Sequence, residues 1–497
     1  MKAKKIFKGM TAAAVAAVLA ASMVPMTAFA AAVTTDTQEI TFNSNVTNLT
    51  YKIYQVATAT VAAGGTAYDY TLVAPFADVA GYETIDKIAA VDSSDAAAKK
   101  DLADALAAKV DTTSTNPTTP LATVAGGEKA SLAPGYYLIL TSGSQMTGAP
   151  ILLSVRSDTP IGTVNAKTSE ITFDKTIEKV TASATGTGLT GGTVGIDKDT
   201  AQVSIGSTVS YKLATKFPNY AETIKATDMT EYSITDIPSA GLTLVDKDGD
   251  GLDKDDFVVT VDGTATTEFT VAAEGNGFKI SFANAFVLTN KTKDVVVTYD
   301  ATVNKDAVVG TAGNPNKATL KFDNNYYEGG TSKEIPDDGK VFTTKLVVNK
   351  TFSDFTKTPT NKYPVAGFTL YAANGTDVIA TASTTEDNNT VEFKGLAAGT
   401  YVLKETTTPD GYKTADPVNI TITANGDTKY DGTYSFTNAI MDTNNTYGTA
   451  NVVNVKGQTL PGTGGMGTII FTVAGAGVVL VAGIMLIVYM KKRKIEE

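Results

Sequence analysis

The chain has 497 residues, 43% hydrophobic and 19% charged, with 41 Lys+Arg against 52 Asp+Glu and a formal charge of −11. That length suits about three domains, and the acidic balance excludes the dense basic face with which a nucleic-acid binder neutralises phosphates. His, Cys and Trp are all absent, which removes Ser-His-Asp and Cys-His catalysis, the usual zinc ligands and every disulfide.

Residues 1–30 have the anatomy of a secretory signal. Lys2, Lys4, Lys5 and Lys8 form a basic region, Thr11 to Val24 is an Ala/Val/Leu run, Pro25 breaks it, and Ala28-Phe29-Ala30 supplies a small-residue cleavage site. The apolar run is too short to span a bilayer comfortably, so cleavage after Ala30 is expected. In the first unit, residues 31–168, the run Leu49 to Val56 alternates with period two, and Gly135 to Leu140 and Ile151 to Val155 read as further strands. Between them, Ile85, Ile88, Leu102, Leu106 and Val110 recur mostly at spacings of three or four, which predicts an amphipathic helix. This unit is β-rich with at least one helix.

Residues 169–340 read as strands throughout, with Val295 to Tyr299 and Lys317 to Phe322 the clearest late ones. Phe173-Asp174-Lys175-Thr176 opens this unit, Thr235-Asp236-Ile237-Pro238 sits in its middle, and Phe322-Asp323-Asn324-Asn325 lies near its end. Its acidic run from Asp246 places oxygens at positions 1, 3 and 5 (Asp246, Asp248, Asp250) and Gly251 at 6, as a Ca²⁺ loop does, but Phe257 stands where the bidentate Glu belongs. A solvated acidic turn is the favoured reading, and no cofactor is required. Ile335-Pro336-Asp337-Asp338-Gly339 reads as a linker to a third β unit, residues 341–456. The turn spacing suggests Ig-like sandwiches in both units, so the fold class is mainly all-β with tandem sandwiches.

The third unit opens on Val347-Val348-Asn349-Lys350, continues through Gly367-Phe368-Thr369-Leu370-Tyr371, Leu403-Lys404-Glu405 and Pro409-Asp410-Gly411-Tyr412, and closes on Asn451-Val452-Val453-Asn454. Residues 457–497 follow. They hold Leu460-Pro461-Gly462-Thr463-Gly464, then an uncharged run from Ile469 to Met490 long enough for a membrane helix, then Lys491, Lys492, Arg493 and Lys494.

A pentapeptide, an apolar span and a basic tail in this order resemble the cell-wall sorting signal of Gram-positive surface proteins. The resemblance implies that sortase cuts between Thr463 and Gly464 and passes the Thr463 acyl group to an amine. The third unit resembles the collagen-adhesin B-type domain of Gram-positive pilins and adhesins. That resemblance implies an intramolecular isopeptide bond from Lys350 to Asn454, promoted by Glu405. Asn451 is the rival acyl donor, and its odd spacing from Asn454 puts the two on opposite strand faces. The middle unit is similar to the second domain of shaft pilins, which implies Lys175, Asp236 and Asn324 in the corresponding roles, with Asn325 and Asn316 as substitutes.

The chemistry has a physical logic of its own. Burial disfavours charge on an amine and on a carboxyl alike. A neutral amine and a protonated acid held against a carboxamide can therefore undergo acyl transfer. In shaft pilins the acceptor of the sortase-bound acyl group is a lysine late in the first domain. Thr163-Val164-Asn165-Ala166-Lys167 lies there without the family's Tyr-Pro pair. Lys167 is the assigned acceptor, with Lys179 and Lys52 behind it and a plain linker lysine as the bland alternative. Together these resemblances imply a secreted, wall-anchored shaft pilin. It would be a sortase substrate rather than an enzyme, and its partners would be copies of itself, sortases, minor pilins, peptidoglycan and host ligands. The rival reading is an unpolymerised adhesin or basal pilin.

Overall fold

The computed structural model describes residues 37–44, 49–61, 68–110, 118–143, 146–166, 168–182, 192–220, 224–323, 332–426, 428–457, 478–479 and 481–485. The signal peptide, the pentapeptide at 460–464 and most of the apolar run 469–490 lie outside them. Among the described residues no helix is long and apolar enough to cross a membrane.

In the first unit the strand Thr50–Val61 lies between Gly135–Ser142 and Tyr68–Leu72, with Ile151–Val155 completing that row and Ala122–Ala125 pairing beside it. Both faces of this sheet are covered, so the alternation along it sorts side chains between two cores instead of between core and water. Tyr51, Ile53, Tyr137 and Ile139 join Ile40, Phe42 and Leu132 of a small sheet formed by Lys129–Leu132, Gln38–Phe42 and Thr163–Val164. Tyr54, Val56, Leu138 and Leu140 face Ile88, Leu102, Leu106 and Val110. The helical region expected as one element from Ile85 to Val110 is two helices, Ile85–Ala89 and Ala96–Ala107. The break has a local cause. The Asp92 carboxylate accepts from the Ser94 backbone N–H (2.8 Å), and Asp95 caps the second helix through Ala97 N (2.8 Å) and Ala98 N (3.1 Å).

The first boundary also shifts. Thr168–Glu170 pairs with Met146–Gly148 of the first unit, so the middle unit begins after Glu170 with buried Ile171 and Phe173. The middle unit is a two-sheet sandwich. One sheet runs Asp174–Thr181, Thr208–Lys216, Asp294–Val303, Val258–Val261, Thr264–Ala265, with Leu242–Leu244 also on Asp294–Val303. The other runs Gly192–Val194, Thr200–Val203, Ser332–Phe342, Asn314–Asp323, Tyr232–Pro238, Gly277–Phe282, Phe269–Glu274. The expected linker Ile335 to Gly339 is thus the middle of a strand, paired antiparallel with Asn314–Asp323 over its whole length. Only Lys340 to Phe342 of that strand have a second partner, the parallel Thr200–Gln202. Pro336 therefore sits on a one-sided stretch, where a strand tolerates proline.

The third unit packs Thr390–Leu396, Thr344–Phe352, Gly448–Asn454 and Ile440–Met441 against Val378–Ser383, Gly367–Ala372, Gly399–Thr407, Val418–Ala424 and Tyr434–Phe436. Its first and last long strands are neighbours and parallel, with Lys350 opposite Val452 and Phe352 opposite Asn454. Thr343 alone separates Ser332–Phe342 from Thr344–Phe352, so the boundary falls at 343 and not at 340/341. Hydrogen bonds tie the two units on either side of it: Ile205 N to Gly395 O (2.9 Å), Asp197 N to Thr428 O (3.0 Å), Ala398 N to Gln202 Oε1 (2.7 Å) and Tyr430 N to Thr200 Oγ1 (2.9 Å).

Gly395 carries a left-handed φ of +74°, and a Cβ there would lie 2.2 Å from the Ile205 side chain. Left-handed strain and overpacking act together at this point, so Gly395→Ala is expected to cost about 2 kcal/mol. Scanning calorimetry would register it as a lowered unfolding midpoint, and an unchanged midpoint would mean the junction is not a packed interface.

Candidate functional site

Each sandwich buries one lysine completely. In the third unit the strand Thr344–Phe352 turns Leu346, Val348 and Lys350 inward, and Lys350 has 0% exposure. On the neighbouring strand the inward set is Ala450, Val452 and Asn454, while Asn451 faces out and accepts from Asn349 Nδ2 (3.0 Å). The parity of a strand thus separates the two candidate asparagines. Lys350 Nζ donates to Asn454 Oδ1 and to the Thr351 carbonyl (3.0 Å). Across the core, Glu405 on Gly399–Thr407 accepts from Asn454 Nδ2 at 2.9 and 3.1 Å. The Ala415 backbone N–H donates to Glu405 Oε2 (2.7 Å) and fixes that carboxyl from behind.

Water is kept from this cluster by aromatic rings. Lys350 Nζ lies 4.4 Å from the Phe352 ring centroid, and Tyr412 packs on Phe352 at 4.8 Å. Tyr412 is held in turn by a hydrogen bond to Asp354 (3.1 Å), which pairs with Lys456 (3.0 Å). Burial pushes the Lys350 amine down to about 8, against an opposing pull from Glu405. The amine is therefore partly neutral near pH 7.

The middle unit builds its cluster across the sandwich. Lys175 points inward from the first strand of one sheet; Asp236 and Asn316 point inward from two adjacent strands of the other, and all three have 0% exposure. Lys175 Nζ bonds to Asp236 Oδ2 and to the Tyr299 hydroxyl (2.7 Å). The Tyr299 hydroxyl donates to Asp236 Oδ2 (2.7 Å) and accepts from Asn316 Nδ2 (2.9 Å). Desolvation lowers the Lys175 amine and raises the Asp236 carboxyl, each only partly countered by the other's charge. Both shifts favour the neutral pair over the ion pair. Asp236 Oδ1 and Asn316 Oδ1 are buried acceptors without hydrogen-bond partners. A proton on Asp236 would supply the donor that those two acceptors lack.

The asparagine in this cluster is Asn316 and not Asn324, which lies outside the described residues together with Asn325. Register brings Asn316 to this cluster: Asp236 lies opposite Ala318 and Pro238 opposite Asn316 on the neighbouring strand. Tyr299 was not singled out from the sequence as a site residue. Its signal was the inward set Val295, Val297, Tyr299, which puts a phenol in a core where its hydroxyl needs a partner.

Lys167, the assigned acceptor lysine, lies outside the described residues. In the acidic loop, the carboxylates of Asp246, Asp248 and Asp250 come within 4.8 Å of one another. Asp246 spends its oxygens on the loop's own Gly249 N–H (2.6 Å) and Gly251 N–H (2.9 Å), which hold its carboxyl below the usual range. Phe257 is buried in the core, ringed by Phe278 at 4.5 Å and Tyr299 at 6.1 Å.

Residues 353–435 match the profile of a prealbumin-like fold domain of the SpaA type, and residues 452–497 match the LPXTG cell wall anchor motif. The trypsin-resistant surface T6 protein of Streptococcus pyogenes is 27% identical over 299 residues, 56% of this chain and 53% of that protein. The chain thus aligns to about half the length of that curated relative. Among solved structures, the T6 backbone pilin of Streptococcus pyogenes is similar at a TM-score of 0.58 and 19% identity, over 86% of this chain and all of the other. The Corynebacterium diphtheriae major pilin SpaA is similar at a TM-score of 0.48 and 17% identity, over 84% of this chain and 100% of the other. The three-domain T6 pilin thus has a comparable fold.

Proposed function

We propose that this chain is the repeating shaft subunit of a sortase-assembled surface fibre, locked internally by one Lys–Asn isopeptide bond in each of its two sandwiches. It is a structural protein that reacts with itself once in each sandwich and serves as a substrate of sortase. The observation that carries the reading is the pair of fully buried lysines, Lys350 on the Asn454 carboxamide and Lys175 on Asp236 and on a tyrosine hydroxyl that the Asn316 carboxamide also touches. A lysine is almost never fully buried unless paired, and here the partners form the set that acyl transfer needs.

In the third unit the neutral Lys350 amine attacks Asn454 Cγ. Glu405, already on Nδ2, passes the surplus proton from Nζ to the departing nitrogen, and ammonia leaves. In the middle unit Asp236 takes the Lys175 proton and Asn316 is the acyl donor. Loops of ~100 residues closed in this way remove unfolded-state entropy worth about 4–5 kcal/mol, by analogy with disulfides. The sorting signal then gives the Thr463 acyl group to Lys167 of another copy. That head-to-tail contact does not close on itself and so grows a fibre. Sortase, minor pilins, peptidoglycan and host surface ligands are the partners this assembly implies, and the acidic loop works as a solvated turn without a metal.

Intact mass spectrometry of the purified chain is expected to show a deficit of two ammonia molecules. Glu405→Ala should restore one of them and Asn316→Ala the other, while Asn324→Ala should restore neither. The full unreacted mass from a folded protein would overturn the proposed bonds.

The Lys350 amine, depressed to about 8, is neutral in roughly a tenth of molecules at pH 7, and this fraction falls about tenfold for each unit below that. Formation of the Lys350–Asn454 bond after refolding from urea should therefore slow about tenfold between pH 7 and pH 6 and level off above pH 8. The refolding is done on uncrosslinked chain obtained by synthesis under denaturing conditions, with the branched Lys350–Asn454 peptide recovered after digestion as the readout. A rate flat from pH 6 to 8 would contradict a free-amine nucleophile.

A Lys167→Ala chain expressed on cells should lose the high-mass ladder in wall extracts yet remain wall-bound as a single species. Persistence of the ladder would favour Lys179 or Lys52 as acceptor, and no ladder from the unaltered chain would favour an unpolymerised adhesin.

A further inference from the structure

The middle unit's cluster contains a fourth group that the third unit's cluster lacks. The Tyr299 hydroxyl sits at the centre of the reactive set, 2.7 Å from Lys175 Nζ, 2.7 Å from Asp236 Oδ2 and 2.9 Å from Asn316 Nδ2. A phenol has one proton to donate and two lone pairs to accept with. Here the donor goes to Asp236 and the lone pairs to the two nitrogens, so its capacity is fully used and each partner is a reacting group.

The ring is held as firmly as the hydroxyl. Tyr299 is 5% exposed. It stacks on Tyr211 with centroids 5.5 Å apart and planes at 17°, and Phe278 packs edge-on at 4.9 Å. Lys175 Nζ lies over both phenol rings, 4.8 Å from the Tyr211 centroid and 5.4 Å from that of Tyr299. These contacts fix the hydroxyl between the nitrogen that must lose a proton and the nitrogen that must gain one. In the third unit that bridging place belongs to the carboxyl of Glu405, which touches Asn454 Nδ2 directly. In the middle unit the acid's bonded oxygen reaches Lys175 and Tyr299.

We infer that Tyr299 is a catalytic residue of the middle unit, relaying a proton from Lys175 Nζ to Asn316 Nδ2 as the isopeptide bond forms. The inference rests on the reading of Lys175 and Asn316 as reaction partners given above. Asp236 first takes one proton from the lysine ammonium, leaving a neutral amine. Nζ then forms a bond to Asn316 Cγ and carries one proton too many. That proton passes to the Tyr299 oxygen while the phenol's own proton passes to Nδ2. The Cγ–Nδ2 bond breaks, ammonia departs, and Tyr299 ends as the neutral phenol it began as. Burial and the neighbouring Asp236 raise the Tyr299 phenol well above its ordinary range, which keeps it in the protonated form that a relay requires.

The test uses the full chain made in a cell-free reaction, sampled over time, digested and assayed for the two branched peptides. The Lys350–Asn454 peptide, from the same molecule, is the internal standard. Tyr299→Phe keeps the ring and removes the hydroxyl, and is expected to slow the Lys175–Asn316 bond by ~10²-fold, the usual scale of acid–base assistance, with the standard unchanged. Fluorotyrosine at 299 keeps both packing and hydroxyl but makes the phenol more acidic, and is expected to shift the rate severalfold, which a purely packing role would not do. If Tyr299→Phe fails to fold, the fluorotyrosine series decides alone. A wild-type rate in Tyr299→Phe, or no response to fluorination, overturns the relay. Absence of the Lys175–Asn316 peptide from the unaltered chain would instead overturn the underlying pairing, and the relay with it.

Discussion

An amine taken out of water is the constraint from which the two sandwiches can be understood. Moving an ammonium group into a low-dielectric interior costs several kcal/mol even after relaxation, and Lys175 and Lys350 both have no exposed surface at all. A strand can hold such a side chain only if the amine loses its charge or finds a partner that compensates it. Each sandwich supplies a carboxyl and a carboxamide, and the shifts in the middle unit move lysine and aspartate together toward the neutral pair. The apolar cores around them serve two purposes at once. They stabilise the sandwich, and they create the dielectric that disfavours the charged form of a lysine amine.

The same residue types are assembled by two different geometries. In the middle unit the lysine belongs to one sheet and the asparagine to the other, so a bond between them spans the sandwich. In the third unit lysine and asparagine lie on adjacent parallel strands of one sheet, two positions apart in register, and the acid reaches them from the facing sheet. Parallel first and last strands send the chain out at the opposite end from its entry, so tension along the molecule loads this strand pair in shear. The proposed covalent link there would carry that load past the intervening strands. The near-continuous run of Ser332–Phe342 into Thr344–Phe352, with hydrogen bonds on either side, joins the two units without a slack segment between them.

Much of this was legible in the chain itself. Lys350 and Asn454 fall at inward parity with Leu346, Val348, Ala450 and Val452, and the same parity excludes Asn451. Where strand alternation gave one answer, the sequence reading and the structure agree on which residues meet. In the middle unit three asparagines were open to the sequence reading, and the structure brings Asn316, held there as a substitute, to the Tyr299 hydroxyl. The stretch Ile335 to Gly339 looked like a linker because Pro, Asp and Gly mark turns. It is a strand because its second edge is mostly unpaired and so forgives a proline. The break between the two helices of the first unit depended on the side chains of Asp92 and Asp95 accepting from local backbone, which a hydrophobic spacing does not register.

Composition and pattern alone determined that this chain has no thiol and no imidazole, that it is built mainly of β strands, and that lysine is its only side-chain amine. The candidate reactive residues themselves were named by the resemblance to pilin and adhesin domains; periodicity, a local property written along the chain, added only which strand face each would take. Tertiary structure decided which of those residues touch. The choice of Asn316, the arrival of Tyr299 between two nitrogens, and the closure of Tyr412 over Phe352 depend on the register between strands distant in sequence and on the distance between facing sheets. No local pattern encodes those quantities, since they are set only when the whole sandwich packs.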